Sequence, residues 1–427
     1  MTKQELKAQV CAKIDKESDR IINIGRKIFE NPEMGYREFK TAELVKKEFD
    51  RLNIPYRDRL AVTGVKANLK GKDSKARVAI IGEMDAVICS SHPTADEVTG
   101  AAHACGHNAQ IATMLGAAIG LSEIQGELDG DVCFFAVPAE EYVEIGYRAG
   151  LKEKGLIEFF SGKQELIRIG EFDDIDMAMM IHAQGNAPSN TVYLDGGAIG
   201  FVPKTVNFIG KAAHAGGAPH EGINALNAAM AAMMCIHAQR ETFRDEDKIR
   251  VHPIITNGGE LVNVVPSLVT METYVRGATA EAIRDAAFKV DRAIAAGAMA
   301  IGAEHEIINY KGYLPLKQDK ALSDVFKSNV EALSNGPEIG YGVDLSGSTD
   351  MGDLGHIMPI IHPTMGGFVG SAHARDFAVA DEYVAYVEGA KLMAMTVIDL
   401  LYGGAEKAIS IKQEFCQPMT KEEYLKF

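Results

Sequence analysis

Apolar residues recur at helical spacing through the opening of the chain, where Ile14, Ile21, Ile22, Ile24 and Ile28 stand among charges, and a second helix is predicted over Glu38 to Leu52. Between them NPEMGY, residues 31–36, reads as a Pro/Gly turn. Short apolar runs then alternate with Ala/Gly-rich helical stretches: RVAIIGEMDAV (77–87), a helix from about Asn108 to Leu121, DVCFFAVPAEE (131–141) and DMAMMIHAQG (176–185). Strands alternating with helices predict a largely parallel sheet covered on both faces. In such sheets chemistry gathers beyond the carboxyl ends of the strands.

After DGGAIG (195–200) the order changes. KTVNFIG (204–210), IRVHPII (249–255), SLVTMETYVRG (267–277) and EHEIINY (304–310) read as strands, while 224–240 and 279–303 read as helices. The order β-α-β-β-α-β is that of the ferredoxin-like split unit. Helix and strand alternation resumes near Pro315. The expected class is therefore α/β: a mixed, mostly parallel sheet flanked by helices, built from 1–197 and 313–427, and interrupted by an inserted ferredoxin-like α+β domain at 198–312. The Met-rich stretch AMAAMMCI (229–236) reads as a packing face.

Composition narrows the partners. With 44 Lys+Arg against 59 Asp+Glu the formal charge is −15, which argues against nucleic acid or anionic lipid as the main partner. The N-terminus is charged throughout, and no run reaches the ~18 apolar residues of a membrane span. Six cysteines, at 11, 89, 105, 133, 235 and 416, are too scattered for a disulfide scaffold. A cytoplasmic protein with reduced thiols is expected.

Candidate chemistry begins at HACGH, residues 103–107, where Cys105 and His107 stand two positions apart before a helix. Both suit a borderline cation such as zinc, and the glycine lets the backbone turn close to an ion. A buried thiol among incidental histidines, or a nucleophilic Cys105 activated by His107, remain open. Glu140 and Glu141 follow the apolar run VCFFAVP, and His182 follows DMAMMI, each placing chemistry at a strand end. Adjacent acids whose side chains diverge can divide the work between metal ligation and general base catalysis. Glu83 and Asp85 add acids to the same edge, where either can orient a ligand histidine through its second ring nitrogen. In the insert, His214 lies in a Gly-rich loop, and Asn263 and Arg276 bracket the third strand, where an amide and a guanidinium could grip a carboxylate. The C-terminal part offers His356, His362 and His373 as a further ligand, and spacing does not choose among them.

In order along the chain, NPEMGYREFKTA, GEMDAV, HACGH, PAEE, IHA, GKAAHAG, NVVPS and GSTD resemble the metal-dependent amidohydrolases and peptidases that include aminoacylases, indole-acetyl-amino-acid hydrolases and p-aminobenzoyl-glutamate hydrolases. The resemblance runs from about Asn31 to Asp381. It implies that Cys105, His107, Glu141, His182 and His373 ligate one or two divalent ions, zinc or manganese, and that Glu140 is the general base, with Asp85 beside it in the catalytic set. It further implies that the insert is a lid forming a homodimer, that His214 stabilises the oxyanion in the partner's site, and that Asn263 and Arg276 meet a substrate carboxylate. The expected reaction is hydrolysis of the amide in an N-acyl-, N-aroyl- or aminoacyl-amino acid; the alternatives are a non-catalytic metal- or peptide-binding relative and a specialised dipeptidase. Two positions depart from the family pattern: Asn108 stands where Asp follows HACGH, and Glu83 stands where His or Asp is usual.

Overall fold

The computed structural model describes every residue except Val343, Ser346 and Phe427, and of 344–345 the backbone alone. The chain divides into two compact units, one of Met1–Gly197, Lys317–Asp344 and Asp353–Phe427, the other of Ala198–Leu316 and Leu345–Gly352. The second unit thus takes in the segment that carries GSTD.

In the first unit a six-stranded sheet runs in the order Tyr56–Leu60, Gly64–Leu69, Asp131–Val137, Arg77–Glu83, Met177–Met179, Ile360–Ile361. The first two pairings are antiparallel and the other three parallel. Asp131–Val137 and Arg77–Glu83 are buried almost throughout, which is why they read as continuous apolar runs rather than alternating ones. The helix His107–Leu121 is buried along its whole length, and its sequence is apolar on all sides, as a central helix requires. It packs against the strand Arg77–Glu83 and the helices Ser18–Phe29 and Gly389–Leu401. A Cβ on Gly116 would come within 2.7 Å of that of Ala390, so only glycine permits this spacing. The N-terminal helices Lys3–Lys16, Ser18–Phe29 and Phe39–Leu52 add Val10, Ile14, Ile21, Ile24, Ile28, Val45 and Phe49 to the same core.

The run DMAMMIH is not one strand. Met177–Met179 belongs to the large sheet, whereas His182 opens a two-residue strand, His182–Ala183, paired with Thr364–Met365 in a separate four-stranded sheet.

The second unit has an antiparallel sheet ordered Arg250–Val251, Leu268–Gly277, Gly200–Ile209, Glu304–Asn309, with Ile254–Asn257 also paired to Leu268–Gly277. The segment expected as one strand over 249–255 is broken at His252–Pro253, since proline offers no ladder donor. Leu268–Gly277 alternates in burial along its length, the period-2 signature of a strand with one covered face. Val206, Phe208, Val269, Met271 and Val275 meet the helices Ala225–Ala238 and Ala280–Ile301 in a core of their own. The first of these helices packs through Ala228, Ala229, Ala232 and Ile236, with Met233 and Cys235 partly buried against the same core, while Met230 and Met234 are exposed; the 229–236 stretch thus supplies a packing face made mainly of its small residues. Among the described residues no helix is long and apolar enough to cross a membrane, and all six cysteines are free.

Candidate metal centre

The parallel register of the two central strands sets Glu83 level with Val137, so the acids three and four residues beyond Val137 emerge at the same sheet edge as Glu83. Ala139 turns there in the left-handed region, with φ 52°. Its N–H is held by the buried Glu38 at 2.8 Å, and burial together with Asp85 pushes the Glu38 carboxyl up to about 8. Gly106, at φ 85°, precedes the helix His107–Leu121, and a Cβ there would stand 2.4 Å from that of Ala183. Both the torsion and the close approach require glycine. This turn delivers Cys105 and His107 to the edge.

Three donor groups result among the described residues: Cys105 with His107 and His182, and Cys105 with Glu141 and His373, which share the Cys105 sulfur, and Glu83 with His107 and Glu140. Cys105 Sγ lies 3.5 Å from His182 Nε2, and His373 Nε2 lies 3.1 Å from Glu141 Oε1. His107 donates its Nδ1–H to the Asp85 carbonyl at 2.8 Å, and His182 donates its Nδ1–H to the Ala183 carbonyl at 2.9 Å. Each ring therefore turns Nε2 toward the shared thiol, the orientation that a second-nitrogen hydrogen bond imposes on a ligand histidine. Asp85 also accepts the Glu141 N–H at 2.9 Å, which ties the two groups together.

Charge in this edge calls for a cation. His107 Nε2 is buried without a hydrogen bond, 3.0 Å from Glu83 Oε2 and 3.9 Å from Glu140 Oε2. Two such acceptors in a dry site need a positive charge between them, which either a ring proton or a metal ion supplies. The acid–base balance says the same. Burial and Glu141 push the Cys105 thiol up, yet His182 and His107 outweigh them and hold it at about 6. Hydrogen bonds to Cys105 and Glu141 raise His373 to about 11. Burial disfavours charge on His107, but Glu83 and Cys105 lift it well above its ordinary value; His182 is raised against burial by Cys105. A thiolate, imidazoles and carboxylates are the donor set of a borderline divalent ion, and the residues present fit one.

Of the three C-terminal histidines, His373 joins a donor group among the described residues. His362 is buried with its ring 5.5 Å from that of His182, and burial pushes it down to about 3. Asn108 turns its amide N–H to the Gly25 carbonyl at 3.3 Å and to the Tyr386 hydroxyl at 3.0 Å, serving helix packing. Sequence reading missed Lys163, Gln110 and Arg148. Lys163 and Gln110 both donate to the Glu83 carboxylate, while the fully buried Arg148 donates to the carbonyls of Glu141 and Phe160. In sequence Lys163 and Arg148 resemble ordinary surface positions of helices.

Within the second unit, His214 is exposed and forms a backbone bridge with Val264, and Ala215 N–H donates to the Asn263 carbonyl at 2.9 Å. His214 Nδ1 accepts the N–H groups of Gly216 and Gly217 at 3.1 and 3.0 Å; the ring proton therefore sits on Nε2. Arg276 lies elsewhere. It pairs across the sheet with Phe201, stacks on Phe201 and Tyr274, and donates to the Ser348 hydroxyl at 3.0 Å; burial lowers its basicity. Asn263 and Arg276 flank opposite ends of Leu268–Gly277, roughly 25 Å apart at strand rise. Within one copy of the chain the strand thus sets the two side chains apart.

Residues 79–399 match the model of peptidase family M20/M25/M40. The human Xaa-Arg dipeptidase is 29% identical over 450 residues, covering 98% of this chain and 94% of that protein. The N-acetyl-L-cysteine deacetylase of Bacillus subtilis is 28% identical over 320 residues, 72% of this chain and 71% of that one. Among solved structures, a dinuclear metal binding peptidase of the M20 family from Bacillus subtilis superposes with TM-score 0.70 at 22% identity, over 91% of this chain and 99% of its own. The chain belongs to peptidase family M20/M25/M40, a hydrolase of amide bonds whose own residues offer the donor groups for divalent metal.

Proposed function

We propose that the enzyme cleaves the amide of an N-acyl-, N-aroyl- or aminoacyl-amino acid, with one or two divalent ions, manganese or zinc, held by Cys105, His107, Glu141, His182 and His373. The observation that carries this reading is the pair of donor groups meeting at Cys105 Sγ with Glu140 buried beside them. Held by these residues, a divalent ion would polarise the scissile carbonyl as a Lewis acid. Glu140 takes the proton of the attacking water and returns it to the leaving amine. Asp85 fixes the His107 ring and the Glu141 backbone. His214 Nε2–H is turned outward to donate to the developing oxyanion, and Arg276 holds the substrate carboxylate.

His214 and Asn263 travel on one pair of bridged loops while Arg276 sits at the other end of the sheet. A site that uses all three draws the first two from a second copy of the chain, so the second unit acts as a dimerising lid. The dipeptidase reading gains weight from alignment with Xaa-Arg dipeptidases across nearly the whole chain.

The test is turnover of a panel of N-acyl amino acids and Xaa-Arg dipeptides by chelated protein reloaded separately with manganese and zinc. Activity restored by metal and insensitive to thiol alkylation of the loaded enzyme supports the reading. Full activity in metal-free protein would sink it, and loss on alkylation without loss on chelation would point to Cys105 as a nucleophile.

A further inference from the structure

The carboxylate of Glu83 is shared between two cations' worth of demand. Lys163 and Glu83 form an ion pair in which neither side chain has any exposure, and Gln110 donates to Glu83 Oε2 at 2.8 Å while its own carbonyl oxygen accepts the Glu83 N–H at 3.0 Å. The same Oε2 stands 3.0 Å from His107 Nε2, and Glu83, His107 and Glu140 bring ligand atoms close enough together to hold a metal ion. Lys163 reaches this point from the short helix Gly162–Arg168. Its start is locked beneath the PAEE turn, where a Cβ on Gly162 would stand 1.8 Å from the Pro138 carbonyl oxygen. The helix start is therefore packed directly against the turn that carries Glu140 and Glu141, and the Lys163 ammonium has no exposure to solvent.

We infer that Lys163 is a built-in cation that competes for Glu83, weakening the ion held by Cys105, His107 and His182 relative to the ion held by Cys105, Glu141 and His373. The inference rests on the metal-binding reading of the site. A fixed positive charge against Glu83 removes one carboxylate from the field that the first group presents to a dication, and it repels the dication directly. In the second group Glu141 pairs with His373, and the buried Arg148 guanidinium donates to the Glu141 backbone carbonyl rather than to its carboxylate; among the described residues no lysine forms an ion pair with Glu141. The chain is thereby tuned toward one tightly held ion and one that exchanges.

The experiment is calorimetric titration of the chelated full-length protein with manganese alone. Wild type is expected to show one tight and one weaker ion. Lys163→Met should tighten the weaker ion by about 10- to 100-fold, the scale on which groups outside the ligand set move metal affinity, while the tighter one changes little. Lys163→Arg should leave both constants near wild type. Because Lys163→Met removes the ammonium from a buried carboxylate and risks misfolding, Glu83→Gln is the second arm; it keeps the shape and the ammonium, and should weaken the second ion by at least a similar factor. Two equally tight ions in wild type, or a ratio of constants that neither Lys163→Met nor Glu83→Gln moves, overturns the inference. A wild-type protein that binds no ion at all overturns the metal-binding reading as well, which separates the two failures.

Discussion

Metal entry should release protons, because several of the donor groups carry them in the metal-free protein. In metal-free protein at pH 6.5 the His373 ring, raised to about 11 by Cys105 and Glu141, carries a proton. His107 and His182 are both raised above their ordinary value by the acids and thiolate around them. The Cys105 thiol, at about 6, and the Glu141 carboxyl, held down by His373 against burial, are already largely ionised. An ion bound by Cys105, Glu141 and His373 therefore displaces about one proton, and a second bound by Cys105, His107 and His182 displaces further protons from the two raised imidazoles. Titrating manganese into chelated protein in buffers of different ionisation enthalpy counts these protons directly. The first ion's affinity should rise about tenfold per pH unit between roughly pH 6 and 11, then level off. The sign for stability is opposite: His373 stabilises the metal-free fold below its unfolded value and loses that contribution as pH rises through its folded one. Saturation with less than about half a proton released would mean that the imidazoles are not the ligands, and the donor assignment would fall.

The remaining predictions are narrower. Glu140→Gln should lower turnover roughly 10²- to 10⁴-fold while metal content stays near normal, whereas Glu141→Gln should release metal; normal metal and turnover in both variants would reverse the assignment. Mixed dimers of His214→Ala and Glu140→Gln subunits should regain activity that neither parent has, and verified heterodimers that stay inactive would leave His214 a role within its own chain or none. Arg276→Ala should cost roughly 10- to 150-fold in kcat/KM on free acids, the worth of a charge-assisted hydrogen bond, and little on the matching C-terminal amides; equal losses on both would make Arg276 a support for Ser348 and the sheet. Gly106→Ala should destabilise the first unit and lose metal, since it adds a left-handed torsion costing about 1–2 kcal/mol to the clash with Ala183; a folded variant with full metal content would show that the turn is not needed to aim Cys105.

Periodicity and motif spacing were enough to lay out most of the elements and to nominate the residues of the candidate site. The switch from apolar runs to a β-α-β-β-α-β order after residue 200, and the stations of Cys105, His107, Glu140, Glu141 and His182 at strand ends and loop turns, are local facts. They follow from periodicity and from glycine and proline, which act over a few residues. Choosing His373 over His356 and His362 was beyond spacing, because ring orientation depends on the left-handed turn at His373 and on Glu141 more than 200 positions earlier. The same limit hid Lys163, whose helix has nothing in its own sequence to show that the ammonium turns inward to Glu83. Nor does the sequence show how far Asn263 and Arg276 stand apart, since they are near in sequence but separated by a ten-residue strand. A fully extended strand converts sequence neighbours into distant points, while parallel pairing of strands far apart in sequence brings Glu83 level with Val137. Register and burial, which only the tertiary structure decides, thus set which charges meet.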